Sequence, residues 1–232
     1  MPVEGLEKVT PEIAGNIARK MQMLNAQDEW RLVSLGTETS RKIDQLFSKD
    51  ARQVDQTESF RSGVILVFLE KWRLVTSAVR SVAPKTLMLW APNSGFGKGN
   101  DALLGGYARY WPGDEWVDMI GLSFYHYGGL ERVNVLPAPT EAQDTIKEFA
   151  KLYGSKNHDR PVVLAETAAA YTRSLDGRPA PGTANERDIK LAWMSQLLSR
   201  SMAEAVPELK AIVWLGKPKR STHLGKKHMG MM

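Results

Sequence analysis

The stretch Met119-Ile120-Gly121-Leu122-Ser123-Phe124-Tyr125 is an almost uninterrupted apolar run with the length of one β-strand. Such a strand is typical of a parallel sheet covered by helices, because neither of its faces meets water. The runs Thr86 to Trp90 and Pro161 to Glu166 have the same character, and Ala211 to Leu215 follows the break at Pro207. These runs predict the strands of a buried parallel sheet.

Amphipathic helices are predicted between these strands. Thr10-Pro11-Glu12 supplies a hydroxyl cap, a proline at the first helical position and an acid in the first turn. A second helix is centred on Phe68 to Val79 and ends before Pro84, and Thr140-Glu141-Ala142-Gln143 has the form of a capping box. A further helix is expected from Asn185 to about Met202. The alternation predicts an α/β fold, but by itself it does not separate an open doubly wound sheet from a closed barrel.

Length and composition limit the classes of protein to consider. The 232 residues suit one domain over 1–232, without cysteines and without an apolar run long enough to span a membrane. Residues 34–63 are dense in polar side chains and are expected to be divergent or poorly ordered, with a helix left open as the alternative. Residues 217–232 hold much of the net charge of +5. We interpret them as a solvated basic tail, because no nucleic-acid motif accompanies them. We expect a monomer with no cofactor, no metal, and no nucleic-acid or membrane partner.

The candidate catalytic and binding residues directly follow the predicted strands. The strand ends read Trp90-Ala91-Pro92-Asn93, Ser123-Phe124-Tyr125-His126-Tyr127, Ala165-Glu166-Thr167 and Trp214-Leu215-Gly216. In parallel α/β folds the carboxyl ends of the strands build the site. Aromatic rings with amide and carboxyl groups suit carbohydrate, whereas no glycine-rich loop for phosphate is present. Glu166 is the main candidate, since a charge after a buried run needs a partner or a task. The alternative is a glutamate that steps into solvent where the strand ends.

A family resemblance is found in three of these segments. Leu87-Met88-Leu89-Trp90-Ala91-Pro92-Asn93 resembles the fifth-strand motif of glycoside hydrolase family 26, the β-mannanase family. The segment from Tyr110-Trp111-Pro112-Gly113-Asp114-Glu115-Trp116 to Tyr125 is similar to that family's sixth-strand motif. Pro161-Val162-Val163-Leu164-Ala165-Glu166-Thr167 is similar to the seventh strand, which ends in the nucleophile. The resemblance covers about Lys71 to Trp214 and implies a (β/α)₈ barrel.

The resemblance implies a role for each strand-end residue. Glu166 would be the nucleophile of a retaining glycosidase, and Tyr125 would hydrogen-bond it or the sugar. Trp90, Trp111 and Trp214 would stack on substrate or line its walls, with core packing left open as the alternative, and Asn93 would be a polar contact. His126 would contact substrate or be a hydrogen-bonded surface residue.

A retaining glycosidase also needs a second carboxyl group as acid/base. In the resembled family this group follows the fourth strand in a His-Glu motif that this sequence lacks, and Glu38 lies nearest to the expected place. Five or six strands can be counted where a barrel has eight, so we expect a partial barrel without its first strands, from a fragment or a mispredicted gene product.

The leading hypothesis is hydrolysis of O-glycosidic bonds in a β-linked polysaccharide of the mannan type. Such an enzyme would degrade polysaccharide, and by resemblance it would be secreted and extracellular. The competing hypothesis is a catalytically silent carbohydrate-binding remnant. A third, least favoured hypothesis is an unrelated open-sheet enzyme.

Overall fold

The computed structural model describes residues 6, 8–26, 31–33, 57–94, 107–129, 132–154, 159–174 and 176–216. Its strands are β1 (Arg31–Val33), β2 (Thr86–Trp90), β3 (Met119–His126), β4 (Val162–Ala169) and β5 (Leu209–Trp214). Its α-helices are α1 (Pro11–Asn25), α2 (Thr57–Val82), α3 (Glu141–Tyr153), α4 (Glu186–Leu197) and α5 (Arg200–Ala205). Two short 3₁₀ turns, Ala108–Tyr110 and Asp114–Trp116, precede β3.

The five strands form one parallel sheet in the order β1-β2-β3-β4-β5. A doubly wound sheet would reverse its strand order at a switch point. In this chain each strand is added on the same side as the one before, which is the winding of a (β/α)₈ barrel. The fold is therefore an α/β partial barrel, and the predicted parallel sheet is confirmed.

The two faces of the sheet bury different sets of residues. One face packs under the helices, where Trp72 of α2, Ile146 of α3 and Trp193 of α4 are almost completely buried. The other face corresponds to the inside of a barrel and carries a smaller cluster of Leu89, Ala91 and Val163. Alternate residues of each strand supply the two faces, because successive side chains of a strand point in opposite directions.

Gly121 shows how closely the inner face is packed. A Cβ at this position would lie 2.9 Å from the Val163 carbonyl oxygen and 3.1 Å from the Ala91 Cβ. Only glycine therefore fits in β3 at this level, directly below the strand ends.

The helix predictions are largely confirmed, with three corrections. At α1 the Thr10 hydroxyl accepts the Ile13 N–H as expected. The helix α2 begins at Thr57, so the end of the segment 34–63 is helical; its earlier part lies outside the described residues, as does the basic tail 217–232.

The other two corrections concern caps. The Thr140 side chain does not cap α3 but donates to the Asp144 carboxylate at 2.7 Å. The single helix expected from Asn185 is two helices, because Ser199 caps a new one by accepting the Met202 N–H at 3.0 Å.

The amino end of the sheet is fixed by the segment 112–118, which leads into β3. Arg73 donates to the Pro112 carbonyl at 2.9 Å and 3.2 Å, Arg80 to the Glu115 carbonyl, and Arg160 to the Asp114 carbonyl. We call these three arginines, with the segment they hold, the arginine clamp.

Two further features complete the clamp. Gly113 has a backbone φ of 110°, which residues that carry a Cβ rarely adopt. Asp118 accepts the Met88 N–H at 2.8 Å and the Arg80 guanidinium at 2.8 Å. The clamp therefore ties the starts of β2 and β3 together.

Candidate active site

Three side-chain positions lie in one row at the carboxyl end of the sheet. Asn93 pairs with Ser123, and Ser123 pairs with Glu166. Neighbouring strands lie about 4.8 Å apart, so the backbone of these residues spans only about 10 Å. Two predicted site residues, Asn93 and Glu166, are thereby brought to the same level of the inner face.

A β-bulge in β4 turns Glu166 to that face. Leu164 is opposite Leu122 and Glu166 is opposite Ser123, so β4 contains one residue more than β3 at Ala165. The pairing with β5 shows a shift in the same interval, between Leu164 and Thr167. Under strict alternation Glu166 would share the helix-covered face of Leu164. The extra residue resets the alternation, and bulges beside active sites are known to re-aim side chains in this way.

The Glu166 carboxylate is held by Tyr125. The Tyr125 hydroxyl donates a hydrogen bond to Glu166 Oε2, and both side chains are half-buried. This bond fixes the orientation of the carboxylate relative to β3. This is the contact that the sequence resemblance implied for Tyr125.

Ser123 is a residue of this row that the sequence analysis did not select. It is 2% exposed, and its Oγ is buried without a hydrogen-bond partner among the described residues. A buried hydroxyl without a partner costs about 1–3 kcal/mol, so its presence calls for an explanation. The available signal was the period of two, since Ser123 precedes Tyr125 by two residues on the same face.

The opposite face of β4 is anchored to α4. Trp193 is 0% exposed, and its indole N–H donates to the Thr167 hydroxyl at 2.9 Å. Thr167 directly follows Glu166, so this bond fixes the backbone that carries the carboxylate.

His126 belongs to this supporting face and is 3% exposed. Its Nδ1 lies 3.0 Å from the Glu141 carboxylate and its Nε2 lies 2.9 Å from the Val135 carbonyl. Its ring lies 5.7 Å from that of Trp193. The hydrogen-bonded alternative accounts for His126, although the residue is buried and not at the surface as that alternative supposed.

The three tryptophans expected at the substrate also pack on the helix-covered side. Trp90 is 2% exposed, and its ring lies 4.9 Å from Trp111 and 5.1 Å from Tyr153 of α3. Trp111 also contacts Tyr153, at 5.4 Å. Trp214 is opposite Thr167 and packs half-buried against the main core. Core packing, the alternative left open by the sequence, accounts for these positions.

Two loops beyond the strand ends are joined by Asn134, which is 1% exposed. Its amide donates to the Thr172 and Ala180 carbonyls at 2.9 Å each, and its Oδ1 accepts the Thr172 N–H at 2.8 Å. The loop that follows β4 is therefore held to the loop that follows β3.

Two acids of the chain after β4 are poor candidates for the missing acid/base. The Ser174 hydroxyl, by its hydrogen bond, lowers the pKa of Asp176, and the Lys190 ammonium does the same for the pKa of Glu186. A general acid needs a raised pKa, so these environments favour the wrong protonation state. Glu38, the predicted acid/base, lies outside the described residues.

Neither a metal site nor a membrane-spanning helix is found among the described residues. Within them, no group of three or more His, Asp or Glu side chains is arranged to hold a metal ion. No helix in the described ranges is both long and apolar enough to cross a membrane.

No protein-family model and no curated protein matches this chain. Several solved structures are similar to it. The catalytic domain of a family 53 glycoside hydrolase from Ignisphaera aggregans aligns with 90% of this chain and 53% of its own, with 18% identity and a TM-score of 0.54.

Family 26 enzymes are also among the similar structures. The endo-β-mannanase/endo-β-glucanase PbGH26A-GH5A of Prevotella bryantii has 16% identity over 90% of this chain and 25% of its own, with a TM-score of 0.49. The family 26 endo-β-1,4-mannanase domain of Bacillus sp. JAMB-750 has 18% identity over 65% of this chain and 35% of its own, with a TM-score of 0.43.

The chain thus spans about half or less of the length of these proteins. The likeness to the family 53 domain shows that the chain has the fold of glycoside hydrolase barrels.

Proposed function

We propose that this chain is a glycoside hydrolase domain in which Glu166 is the nucleophile of a retaining reaction on a β-linked polysaccharide. The observation that carries the proposal is the Tyr125–Glu166 hydrogen bond at the carboxyl end of the parallel sheet. The β4 bulge supports it, because the bulge places the carboxylate on the inner face beside Asn93 and Ser123.

In the proposed reaction a Glu166 oxygen attacks the anomeric carbon of the sugar. The bond from that carbon to the leaving oxygen breaks, the leaving oxygen takes a proton from the acid/base, and a glycosyl ester on Glu166 results. Water, deprotonated by the same acid/base, then attacks the anomeric carbon and releases Glu166. The two displacements together retain the anomeric configuration.

Tyr125 would act on Glu166 in this scheme. Its hydroxyl keeps one carboxylate oxygen oriented, and the other oxygen would be the one that attacks the sugar. Asn93 would be a polar contact to sugar hydroxyls, as its place beside Ser123 allows.

The substrate class and the acid/base are finer parts of the proposal. A mannan-type substrate, membership of family 26 and an extracellular site of action rest on the sequence motifs around Trp90, Pro112 and Glu166. Glu38 is proposed as the acid/base on its position after β1 alone. In a retaining enzyme the two carboxyl groups lie about 5–5.5 Å apart, which a structure describing that segment would check.

Covalent labelling tests the nucleophile directly. The full chain is incubated with 2,4-dinitrophenyl 2-deoxy-2-fluoro-β-mannoside and, in parallel, with its gluco isomer. The good leaving group removes the need for an acid, and the fluorine slows release of the ester. We expect the mass of one fluorosugar on the peptide that contains Glu166, and a preference between the isomers that reports the sugar configuration.

Two variants control this labelling. Glu166→Gln should lower the labelling rate by at least about a thousandfold, since the amide is not a nucleophile. Glu148→Gln, an exposed glutamate on α3, should label like the parent. Labelling at another residue, or none with either isomer, would reject Glu166 as nucleophile and favour the carbohydrate-binding alternative.

A further inference from the structure

Beyond Tyr125, β3 presents a second tyrosine on the same face. Ser123, Tyr125 and Tyr127 alternate with Phe124 and His126, which pack on Trp193 under α4. The Tyr127 ring centroid lies 5.5 Å from that of Tyr125 with 32° between the ring planes. From Glu166 outward, the inner face therefore carries a carboxylate, the tyrosine that holds it, and a further ring.

Tyr127 also differs from the other apolar side chains at the surface. Its exposed fraction is 60%, and among the large hydrophobic side chains exposed in the described ranges it is the aromatic one. The others, such as Leu136 and Leu198, are aliphatic. An aromatic ring left in water beside a polar row is a typical contact for a ligand that offers both an apolar face and hydroxyl groups.

We propose that Tyr127 is a stacking platform for a hexopyranose unit of the polysaccharide, one ring outward from the unit that Glu166 attacks. This inference rests on the proposed function, because it takes Glu166 as the reacting end of the row. A pyranose ring has a face of C–H bonds that packs on the tyrosine ring, while its hydroxyls remain in water. Tyr127 contributes binding and selects the position of the chain, without taking part in bond cleavage.

The pairing with Tyr125 gives the platform its geometry. A single exposed ring on a flexible segment would lose rotational freedom on binding, which weakens its contribution. Tyr127 directly follows the last residue of β3, and its ring is already packed against a neighbour. The platform is therefore largely pre-organised before the sugar arrives.

The proposal is tested by measuring oligosaccharide binding by calorimetry, with Glu166→Gln as the parent to prevent turnover. The probes are mannohexaose, cellohexaose and xylohexaose. Removing the ring with Tyr127→Ala or Tyr127→Leu should weaken the best of these by about tenfold, whereas Tyr127→Phe should stay within about twofold. Leu136→Ala removes an exposed side chain elsewhere and should leave the affinity unchanged.

Two outcomes would overturn the platform: an unchanged affinity in both Tyr127→Ala and Tyr127→Leu, or no binding of any of the three probes by the parent. The fate of the proposed function is separable, because fluorosugar labelling requires one sugar unit and Glu166 but not Tyr127. Absent labelling with lost binding in Tyr127→Ala would leave a carbohydrate-binding surface without the enzyme. Normal labelling with unchanged binding would leave the enzyme without this platform.

Discussion

The two ends of the sheet in this protein are built in opposite ways. At the amino end, the arginine clamp joins three guanidinium groups to backbone carbonyls of the segment 112–118. At the carboxyl end, Glu166 is oriented by the Tyr125 hydroxyl, and the buried Ser123 hydroxyl has no hydrogen-bond partner in the part of the chain that the structure describes. The amino end is held mainly by hydrogen bonds to backbone, whereas the carboxyl end carries the candidate reactive side chains, which is the division between stability and chemistry expected of a barrel.

This comparison changes the meaning of the sequence resemblance. Its longest motif, around Pro112-Gly113-Asp114, belongs to the clamp at the amino end, while the proposed chemistry lies at the other end of the same strands. The motif therefore reports the fold more directly than the reaction. Substitutions at the amino end should therefore lower stability, and substitutions at the carboxyl end should lower the rate of labelling.

Among substitutions that leave the Glu166 carboxylate in place, the largest effect is expected from Tyr125→Phe at the carboxyl end. Loss of the hydroxyl that positions the nucleophile is expected to lower the labelling rate by about 10- to 100-fold, which corresponds to about 1.4–2.8 kcal/mol in activation free energy. Because Tyr125 is half-buried and keeps its ring, the unfolding midpoint in urea should remain that of the parent. An unchanged rate of fluorosugar labelling would contradict the role given to this hydroxyl.

Asp118→Ala should produce the opposite pattern at the amino end. It removes the acceptor of the Met88 N–H and of Arg80, and the expected loss is about 2 kcal/mol in the free energy of unfolding. The labelling rate of the folded protein should not change.

Asp114→Ala is the matched control for that clamp variant. The Asp114 carboxylate is 63% exposed and lies 3.9 Å from Arg160, so its loss should cost less than about 0.5 kcal/mol. Equal destabilisation by the two variants would mean that the Asp118 hydrogen bonds do not hold the clamp.

Thr167→Val tests whether the carboxyl end of β4 depends on its anchor to α4. The substitution keeps the shape of the side chain but leaves the buried Trp193 indole N–H without its acceptor, at a cost of about 1–2 kcal/mol. Since Thr167 adjoins Glu166, we expect a labelling rate several-fold lower as well. A loss of stability with an unchanged rate would show that the carboxylate is positioned independently of α4.

Ser123→Ala is expected to have a small effect of the opposite sign on stability. Removing a buried hydroxyl without a partner should leave the free energy of unfolding unchanged or raise it by up to about 1 kcal/mol. A lower labelling rate in this more stable variant would indicate that the hydroxyl serves the reaction. Clear destabilisation would show that the hydroxyl has a partner in solution and would remove this contrast between the ends.

Much of the architecture could be predicted from sequence because it depends on local patterns. The strand at Thr86–Trp90 and the Thr10 cap follow from apolar runs and capping chemistry. The break between α4 and α5 was missed, because Ser199 acts as a cap only where the preceding helix has already ended.

The site was predicted less completely, since strand ends alone do not give the face of a side chain. Asn93, Tyr125 and Glu166 are brought to one face, and the pairing of Tyr125 with Glu166 agrees with the resemblance. Trp90 and His126 alternate onto the other face, which a period of two would have shown for each strand. Glu166 itself breaks that period, so only the pairing register could place it.

The bulge in β4 also has a consequence for insertions and deletions. Removing Ala165 would leave one residue between Leu164 and Thr167, as between Leu122 and Phe124 of β3, so that Glu166 would still stand opposite Ser123. Adding one residue at the same place would, by the same alternation, also keep the carboxylate on the inner face, because Leu164 and Glu166 would then be three positions apart. Any alignment of this strand with a regular one therefore needs a gap of one residue after Leu164, and an ungapped alignment would compare Glu166 with the wrong position.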